Sequence, residues 1–341
     1  MAFVTLGLIA VAIQDDIKPH VPKILDTIKM ALPSRESTAR KRTPIDGNVF
    51  KCITMLSYVT KSHMSADVSD ILEQMLSSGL TPSLTICLRE LTVNMSDLKH
   101  LISLGLLRML SQILMNKPLR HPGMPRHLPA NVLSLNMTEA TDTQSIVLAL
   151  HTLGTFDFEG QSLLQFVHRC ADYYLVHEQQ EIRLEAVKTC TRLLKHSIES
   201  TSQVSSETIT NTVAAVLNKL LIVGMTDMDA DVRFWVIFSL DSTFDFHLAQ
   251  AESLSALFVA LHDEVFEIRE IALSTIGRLS TMNPAYVMPS LRKTLVQLLT
   301  ELEHSGTGRN KEQGARMLGH LVVNAPRLIR PYIEPILKVS K

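Results

Sequence analysis

Apolar residues return at helical spacing along most of the chain. Val287, Leu291, Leu295, Leu298 and Leu302 form one stripe, and Ile268, Ala272, Ile276 and Leu279 form another just before it. Positions three and four apart share one face of an α-helix, so each stripe predicts a helix with one buried side. Extended along the chain, this reading gives two kinds of helix in alternation. The A helices are predicted to begin near Lys18, Ala66, Asp97, Gly160, Ser206, His247, Ala285 and Arg327. The B helices are predicted to begin near Gly47, Pro82, Gln144, Glu181, Ala230, Glu267 and Gly308, with Met1 to Ile13 as the end of an earlier B helix. The expectation is about seven A–B pairs with a half pair at each end.

Short motifs repeat on the same period. Thr275-Ile-Gly-Arg-Leu279 recurs in outline as Met317-Leu-Gly-His-Leu321, Thr5-Leu-Gly-Leu-Ile9 and Thr152-Leu-Gly-Thr-Phe156. Gly277 and Gly319, Pro284 and Pro326, Pro289 and Pro331, and Arg269 and Lys311 each lie 42 residues apart. A period near forty with two helices per unit predicts an all-α fold, a HEAT-type α-solenoid of antiparallel helix pairs. Glycine inside a helix costs about 1 kcal/mol relative to alanine, so its recurrence predicts close approach of the neighbouring repeat. Pro19, Pro289 and Pro331 are expected in the first turn of A helices, where the missing N–H does no harm.

The B helices open on a second theme: Glu181-Ile-Arg183, Asp231-Val-Arg233 and Glu267-Ile-Arg269, with Lys311 following 42 residues after Arg269. The acid suits a helix N-terminus. The basic residue can reach an acid or a carbonyl of the next repeat. Arg183, Arg233, Arg269 and Lys311 are therefore expected to form a structural ladder.

Insertions divide the pattern. Residues 1–32 read as the end of one repeat and helix A of the next, and 33–48 as a basic polar loop with Arg35, Arg40, Lys41 and Arg42. Residues 49–115 read as degenerate repeats. Residues 116–143 read as a long loop with Pro118, Pro122, Pro125 and Pro129, and 144–341 as regular repeats truncated at the C-terminus. Met1 to Ala10 has no polar outer face and Ile333 to Leu337 is only half of a unit, which favours an excerpt from a longer solenoid. In Arg40-Lys-Arg-Thr43-Pro44 a hydroxyl follows three basic residues, making Thr43 a candidate regulatory phosphosite.

Composition narrows the function. A net charge of −1 argues against a nucleic-acid binder. Cys52, Cys87, Cys170 and Cys190 include no CxxC pair, so neither a disulfide framework nor a zinc site is expected, and free thiols fit the reducing cytosol. The apolar N-terminus lacks a basic n-region, and thirteen residues are too few to span a bilayer, so no membrane insertion is expected.

The sequence has no GxxxxGK[ST], HExxH, GxSxG or paired HRD and DFG. His168 and Cys170 are two apart and would face different sides of a helix. Asp227, Asp229 and Asp231 alternate like a calcium loop but lack its glycine and closing glutamate, since 232 is Val and 238 is Phe. They read instead as acids ahead of a B helix. Trp235 reads as packing. No catalytic, cofactor or metal residue is assigned, and no cofactor is expected.

Longer strings carry more. Phe266-Glu-Ile-Arg-Glu-Ile-Ala through Pro284, Glu301-Leu-Glu-His-Ser-Gly306, Ala315-Arg-Met-Leu-Gly-His-Leu and Asn324-Ala-Pro-Arg-Leu-Ile-Arg-Pro331 resemble the target of rapamycin (TOR) kinase family. So do Lys117-Pro-Leu-Arg-His-Pro-Gly-Met-Pro125 and His247-Leu-Ala-Gln-Ala-Glu252. The resemblance implies the N-terminal HEAT region of a very large Ser/Thr kinase whose catalytic domain has no counterpart here. It implies a non-catalytic scaffold whose partners are Raptor-like or Rictor-like subunits and a second TOR protomer. The implied location is the cytoplasm, with lysosomal or other endomembrane surfaces reached through those partners. The alternative is a free-standing HEAT adaptor of the phosphatase-scaffold or transport-receptor type, which predicts polar caps at both ends.

Overall fold

The structure is a computed structural model that describes residues 2–32, 46–115, 143–158, 163–201, 207–304 and 308–339. Among the described residues every regular element is a helix. The fold is an all-α solenoid, in which the chain divides into two compact units, Met1–Ser162 and Leu163–Lys341.

The first unit runs through α1 (Ala2–Ile13), α2 (Val21–Ala31), α3 (Asn48–Thr60), α4 (Ser65–Ser77), α5 (Pro82–Asn94), α6 (Lys99–Met115) and α7 (Thr143–Thr155). Odd helices are of the B kind and even helices of the A kind. B packs on B, as α1 on α3 and α3 on α5, while A packs on A, as α2 on α4 and α4 on α6. Each stack buries one apolar stripe per helix, including Ile53 and Leu56 of α3 and Leu84, Leu88 and Leu91 of α5. The Thr81 hydroxyl accepts from the Leu84 N–H at 3.2 Å and Pro82 opens the first turn, so α5 starts where its orphan donors are satisfied.

The second unit runs through α8 (Leu164–Arg169), α9 (Gln180–Thr201), α10 (Glu207–Thr226), α11 (Ala230–Ser239), α12 (Asp245–Leu248), α13 (Ala251–Ala260), α14 (Phe266–Leu279), α15 (Pro284–His304), α16 (Gly308–Asn324), α17 (Pro326–Ile329) and α18 (Ile333–Val339). The B helices α9, α11, α14 and α16 stack in succession. Three A positions are broken rather than continuous. A π-helical turn, Cys170–Tyr174, extends α8, α12 and α13 share one position, and α17 and α18 share another. The two stripes read from sequence are buried: Ile268, Ala272, Ile276 and Leu279 on α14, and Val287, Leu291, Leu295 and Leu298 on α15. Leu302 is half-buried and lies over Gly314 of α16.

All seven predicted B starts fall within one residue of the observed ones. The proline expectation needs correcting. Pro284 and Pro326, not Pro289 and Pro331, open α15 and α17. Pro289 sits inside α15, whereas Pro331, its equivalent 42 residues on, lies in a 3-10 turn that separates α17 from α18. Pro19 likewise lies in a 3-10 turn, Gln14–His20, and Pro22 opens α2. A proline one turn into a helix removes an i→i−4 bond, so the backbone either tolerates the gap or tightens to 3-10.

The glycine expectation holds at two positions and fails at a third. A Cβ on Gly277 would lie 2.8 Å from Cβ of Asn324 on the next B helix, and one on Gly7 would lie 2.5 Å from Sδ of Met55. Gly319 faces open space. Asn324 closes this approach by donating from Nδ2 to Ser274 Oγ at 3.1 Å, and Asn94 donates to Ser57 Oγ at 3.0 Å in the first unit.

Among the described residues two helices, Ser96–Met115 and Ile209–Thr226, are long and apolar enough to cross a membrane, but each buries about half its residues against neighbouring helices. That burial is what a core helix needs.

Candidate functional site

Three arginines hold the loops of the second unit together by one repeated geometry. Arg183, near the start of α9, donates from Nη1 to the carbonyls of His177 and Glu178, each at 3.0 Å. Its Nε reaches Asp227 Oδ2 at 2.8 Å and its Nη2 reaches Asp227 Oδ1 at 3.0 Å. Nη2 also pairs with Asp229. Arg233, near the start of α11, repeats the pattern. Its Nη1 takes the carbonyls of Asp227 at 2.8 Å and Met228 at 3.4 Å, and Nε and Nη2 hold Asp263 at 2.8 and 3.0 Å. Glu264 is a further acceptor at 3.0 Å. Arg269, on α14, takes the carbonyls of Asp263 at 2.7 Å and Glu264 at 3.2 Å, and its Nη2 reaches Gln313 Oε1 of α16 at 3.3 Å.

The links are joined through the aspartates. Asp227 gives its carboxylate to Arg183 and its carbonyl to Arg233, and Asp263 does the same for Arg233 and Arg269. Each carboxylate also accepts the N–H two residues on, Asp229 for Asp227 and Val265 for Asp263, which shapes the turn before the helix. Burial alone would raise the Asp263 carboxyl, but Arg233 and the Val265 N–H outweigh it and hold it below the usual carboxylate range. The hydrogen bonds that Arg183 and Arg233 donate to Asp227 and Asp263 raise both guanidinium groups.

The four basic residues singled out in the sequence thus divide. Arg183, Arg233 and Arg269 each bridge one repeat to the next. Lys311 is exposed in the first turn of α16, and the side chain that meets Arg269 there is Gln313. A single ammonium on a flexible stem lacks the guanidinium fork this geometry uses. Thr43 lies outside the described residues. Asp227 and Asp229 turn their carboxylates to Arg183, so the calcium-like alternation serves the relay. His168 is exposed and Cys170 fully buried, on opposite sides of the helix as their spacing implied.

Further links were not read from the sequence. Arg278 Nε donates to both Asp245 oxygens at 2.9 Å, and Lys195 pairs with Asp241 at 2.6 Å. Arg316 on α16 donates to the buried Glu270 of α14 at 2.7 Å, with His320 Nε2 3.4 Å from its other oxygen. Arg269 and Arg316 both cover the Phe266 ring, at 5.3 and 5.0 Å from its centre. On α11, Phe234, Trp235 and Phe238 form one aromatic group, with Lys188 Nζ 4.6 Å above Trp235. Arg278 and Asp245 lie 33 residues apart, and the Lys195–Asp241 and Arg316–Glu270 partners 46 apart, beyond any local pattern.

Cys52, Cys87 and Cys190 are poor nucleophiles. Burial pushes Cys52 to about 11 and Cys87 to about 12. A hydrogen bond with Cys170, together with burial, raises Cys190 well above the ordinary range. Among the described residues no group of three or more His, Cys, Asp or Glu side chains could hold a metal ion.

No family model matches the chain. Curated relatives do. The chain is 53% identical over 339 residues to the serine/threonine-protein kinase mTor of Drosophila melanogaster, which covers 99% of this chain and 14% of that protein. It is 38% identical over 343 residues to tor1 of Schizosaccharomyces pombe, again 99% of the chain and 14% of the relative. It is 33% identical over 348 residues to TOR of Arabidopsis thaliana, covering 98% and 14%. From insect, yeast and plant alike, the match covers at least 98% of this chain, and the chain belongs to the TOR family of Ser/Thr kinases as a segment spanning 14% of those relatives' length.

Proposed function

We propose that this chain is a non-catalytic HEAT scaffold segment of a TOR-type Ser/Thr kinase, docking regulatory subunits and supporting complex assembly in nutrient and growth-factor signalling. One observation carries the reading. The basic side chains that recur at repeat spacing are engaged between repeats by Asp227, Asp263 and Gln313, so they brace a surface rather than line a reaction site. A braced solenoid offers rigid helix faces. Here these leave large apolar side chains open, among them Phe238, Phe246, Val259 and Val323. Scattered exposed apolar groups are ordinary, but repeated ones on a stiff array suit protein docking.

In this reading the partners are Raptor-like or Rictor-like subunits and a second TOR protomer. The segment acts in the cytoplasm and reaches endomembranes through those partners. Phosphorylation of Thr43 would add close to two negative charges beside Arg40, Lys41 and Arg42 and tune docking. The test is a pull-down with the tagged chain, read by mass spectrometry against a Phe238→Asp, Val323→Asp double variant. Recovery of such subunits by the first and their depletion from the second is the expected result. Recovery of neither class of subunit overturns the reading.

A further inference from the structure

Helix α15 has a groove on each flank, and the two grooves are of opposite polarity. The groove between α13 and α15 has a volume of about 580 Å³. Its wall carries Lys293, His262, Gln297, Ser290 and Thr294 beside Phe258, and among the described residues no carboxylate lines it. The groove between α15 and α18 has about 480 Å³ and carries Glu303 and Glu334 beside Lys338. Similar volumes mean that size alone does not separate them. Charge does.

The first groove is built to stay open at its polar rim. A hydrogen bond of 2.7 Å between Ser255 and Tyr286 ties α13 to α15 near one end, and Asn283 Nδ2 donates to the Ala249 carbonyl at 3.0 Å. Farther along, Lys293 and His262 are exposed, and among the described residues no hydrogen bond or ion pair engages either side chain. The nearest acids in sequence do not neutralise them. Asp263 and Glu264, next to His262, are turned to Arg233. A groove lined by donors, with an apolar floor and no anion of its own, complements a chain that presents carboxylates and apolar side chains together.

We propose that the α13–α15 groove docks an acidic segment of a partner protein, with Lys293 and His262 pairing its carboxylates and Phe258 receiving an apolar side chain between them. The α15–α18 groove, with Glu303 and Glu334, repels the same segment and so fixes its position. This names the partner chemistry for the docking role proposed above and rests on that reading for its biological meaning. Its test does not, because it measures binding to the groove directly.

The test uses the whole chain and a short fluorescein-labelled peptide of alternating glutamate and leucine, followed by anisotropy. Lysine–leucine and phosphoserine–leucine peptides serve as the other arms. Expected are binding of the glutamate peptide that weakens as salt rises, and a loss of about tenfold for Lys293→Glu. Lys293→Gln should lose less, and Glu303→Lys should leave affinity unchanged. Lys293 is exposed, and far-ultraviolet circular dichroism of each variant confirms that the helices persist. The proposal is overturned if the glutamate peptide does not bind, if Lys293→Glu binds as well as the parent, or if the phosphoserine peptide alone binds. It is also overturned if the chain self-associates through this groove and Lys293→Glu abolishes that association, which would make a second copy the occupant. If the peptide binds as expected while the pull-down recovers no TOR subunit, the groove stands and the scaffold reading falls.

Discussion

Arg183 grips Asp227 with two parallel hydrogen bonds, 2.8 and 3.0 Å, across 44 residues of sequence, and both side chains are less than a tenth exposed. A guanidinium fork on a carboxylate is the strongest pairing of its kind, and it is directional as well as attractive. Here the direction matters. The same aspartate must keep its carbonyl free for Arg233, so Asp227 sets the height of one loop against two helices.

The middle link should therefore be the most sensitive. Arg233→Ala leaves Asp263 buried without its partner, a loss of about 3 kcal/mol. Exposed Glu264 adds little to that figure, because ion pairs open to water are weak. Arg233→Lys should recover less than half, since one ammonium cannot reach Asp263 in two places and the Asp227 and Met228 carbonyls as well. Urea unfolding and hydrogen exchange in α11 and α14 measure both. A lysine variant as stable as the parent would show that charge alone suffices.

Acid should weaken the same link. The Asp263 carboxyl is held below its ordinary value by Arg233 and the Val265 N–H, against the opposing effect of burial. A group whose folded value is depressed binds its proton more weakly when folded. Its contribution is fully present above the unfolded value of about 4 and is lost as pH falls through the lower folded value. Comparing the parent with Asp263→Asn, the stability difference should be constant from neutral pH to about 5 and shrink below about 4. A difference that held constant down to the acid limit would place the stabilisation elsewhere.

Much of this arrangement was legible in the sequence, for a physical reason. The acid-x-Arg theme marks the starts of α9, α11 and α14 because the helix N-terminus favours the acid while the arginine must reach back over the preceding loop. Both requirements are local. The carboxylates that complete the relay are not, because Asp227 and Asp263 lie 44 and 30 residues from their arginines. Lys311 kept the period but not the fork, so spacing overstated the ladder by one rung. The A helices were harder. Their breaks at Cys170–Tyr174, between α12 and α13, and at Arg330–Tyr332 leave the apolar stripe in place while the backbone departs from it. The Lys293 and His262 groove was invisible, since neither residue belongs to a repeated motif.

Nucleotide chemistry gives a separate check. The sequence lacks a glycine-rich phosphate loop, and the thiols of Cys52 and Cys87 are held protonated by burial. Isothermal titration of ATP with magnesium into the purified chain should give no saturable heat, and the chain should transfer no phosphate to protein substrates. Saturable binding would demand a nucleotide site that no motif here supplies.

The sharpest contrast lies between Gly277 and Gly319, equivalent positions of neighbouring B helices 42 residues apart. Replacing a mid-helix glycine by alanine should stabilise by about 1 kcal/mol through the unfolded chain alone. At Gly319 nothing lies within 4 Å of the added methyl, so Gly319→Ala should raise the unfolding midpoint. At Gly277 the methyl would sit 2.8 Å from Asn324 Cβ and 3.6 Å from its backbone carbon, and Asn324 is itself held to Ser274 and the His320 carbonyl. The neighbour cannot swing aside as a long side chain would. The two B helices must part, at about 1 to 3 kcal/mol, which exceeds the propensity gain. Gly277→Ala should therefore lower the midpoint, and the gap should close when Asn324→Gly is added, a double-mutant cycle in which the coupling reports the contact. Equal gains from both alanines would mean that the helices are not pressed together at Gly277, and that the recurring glycine serves something other than close approach.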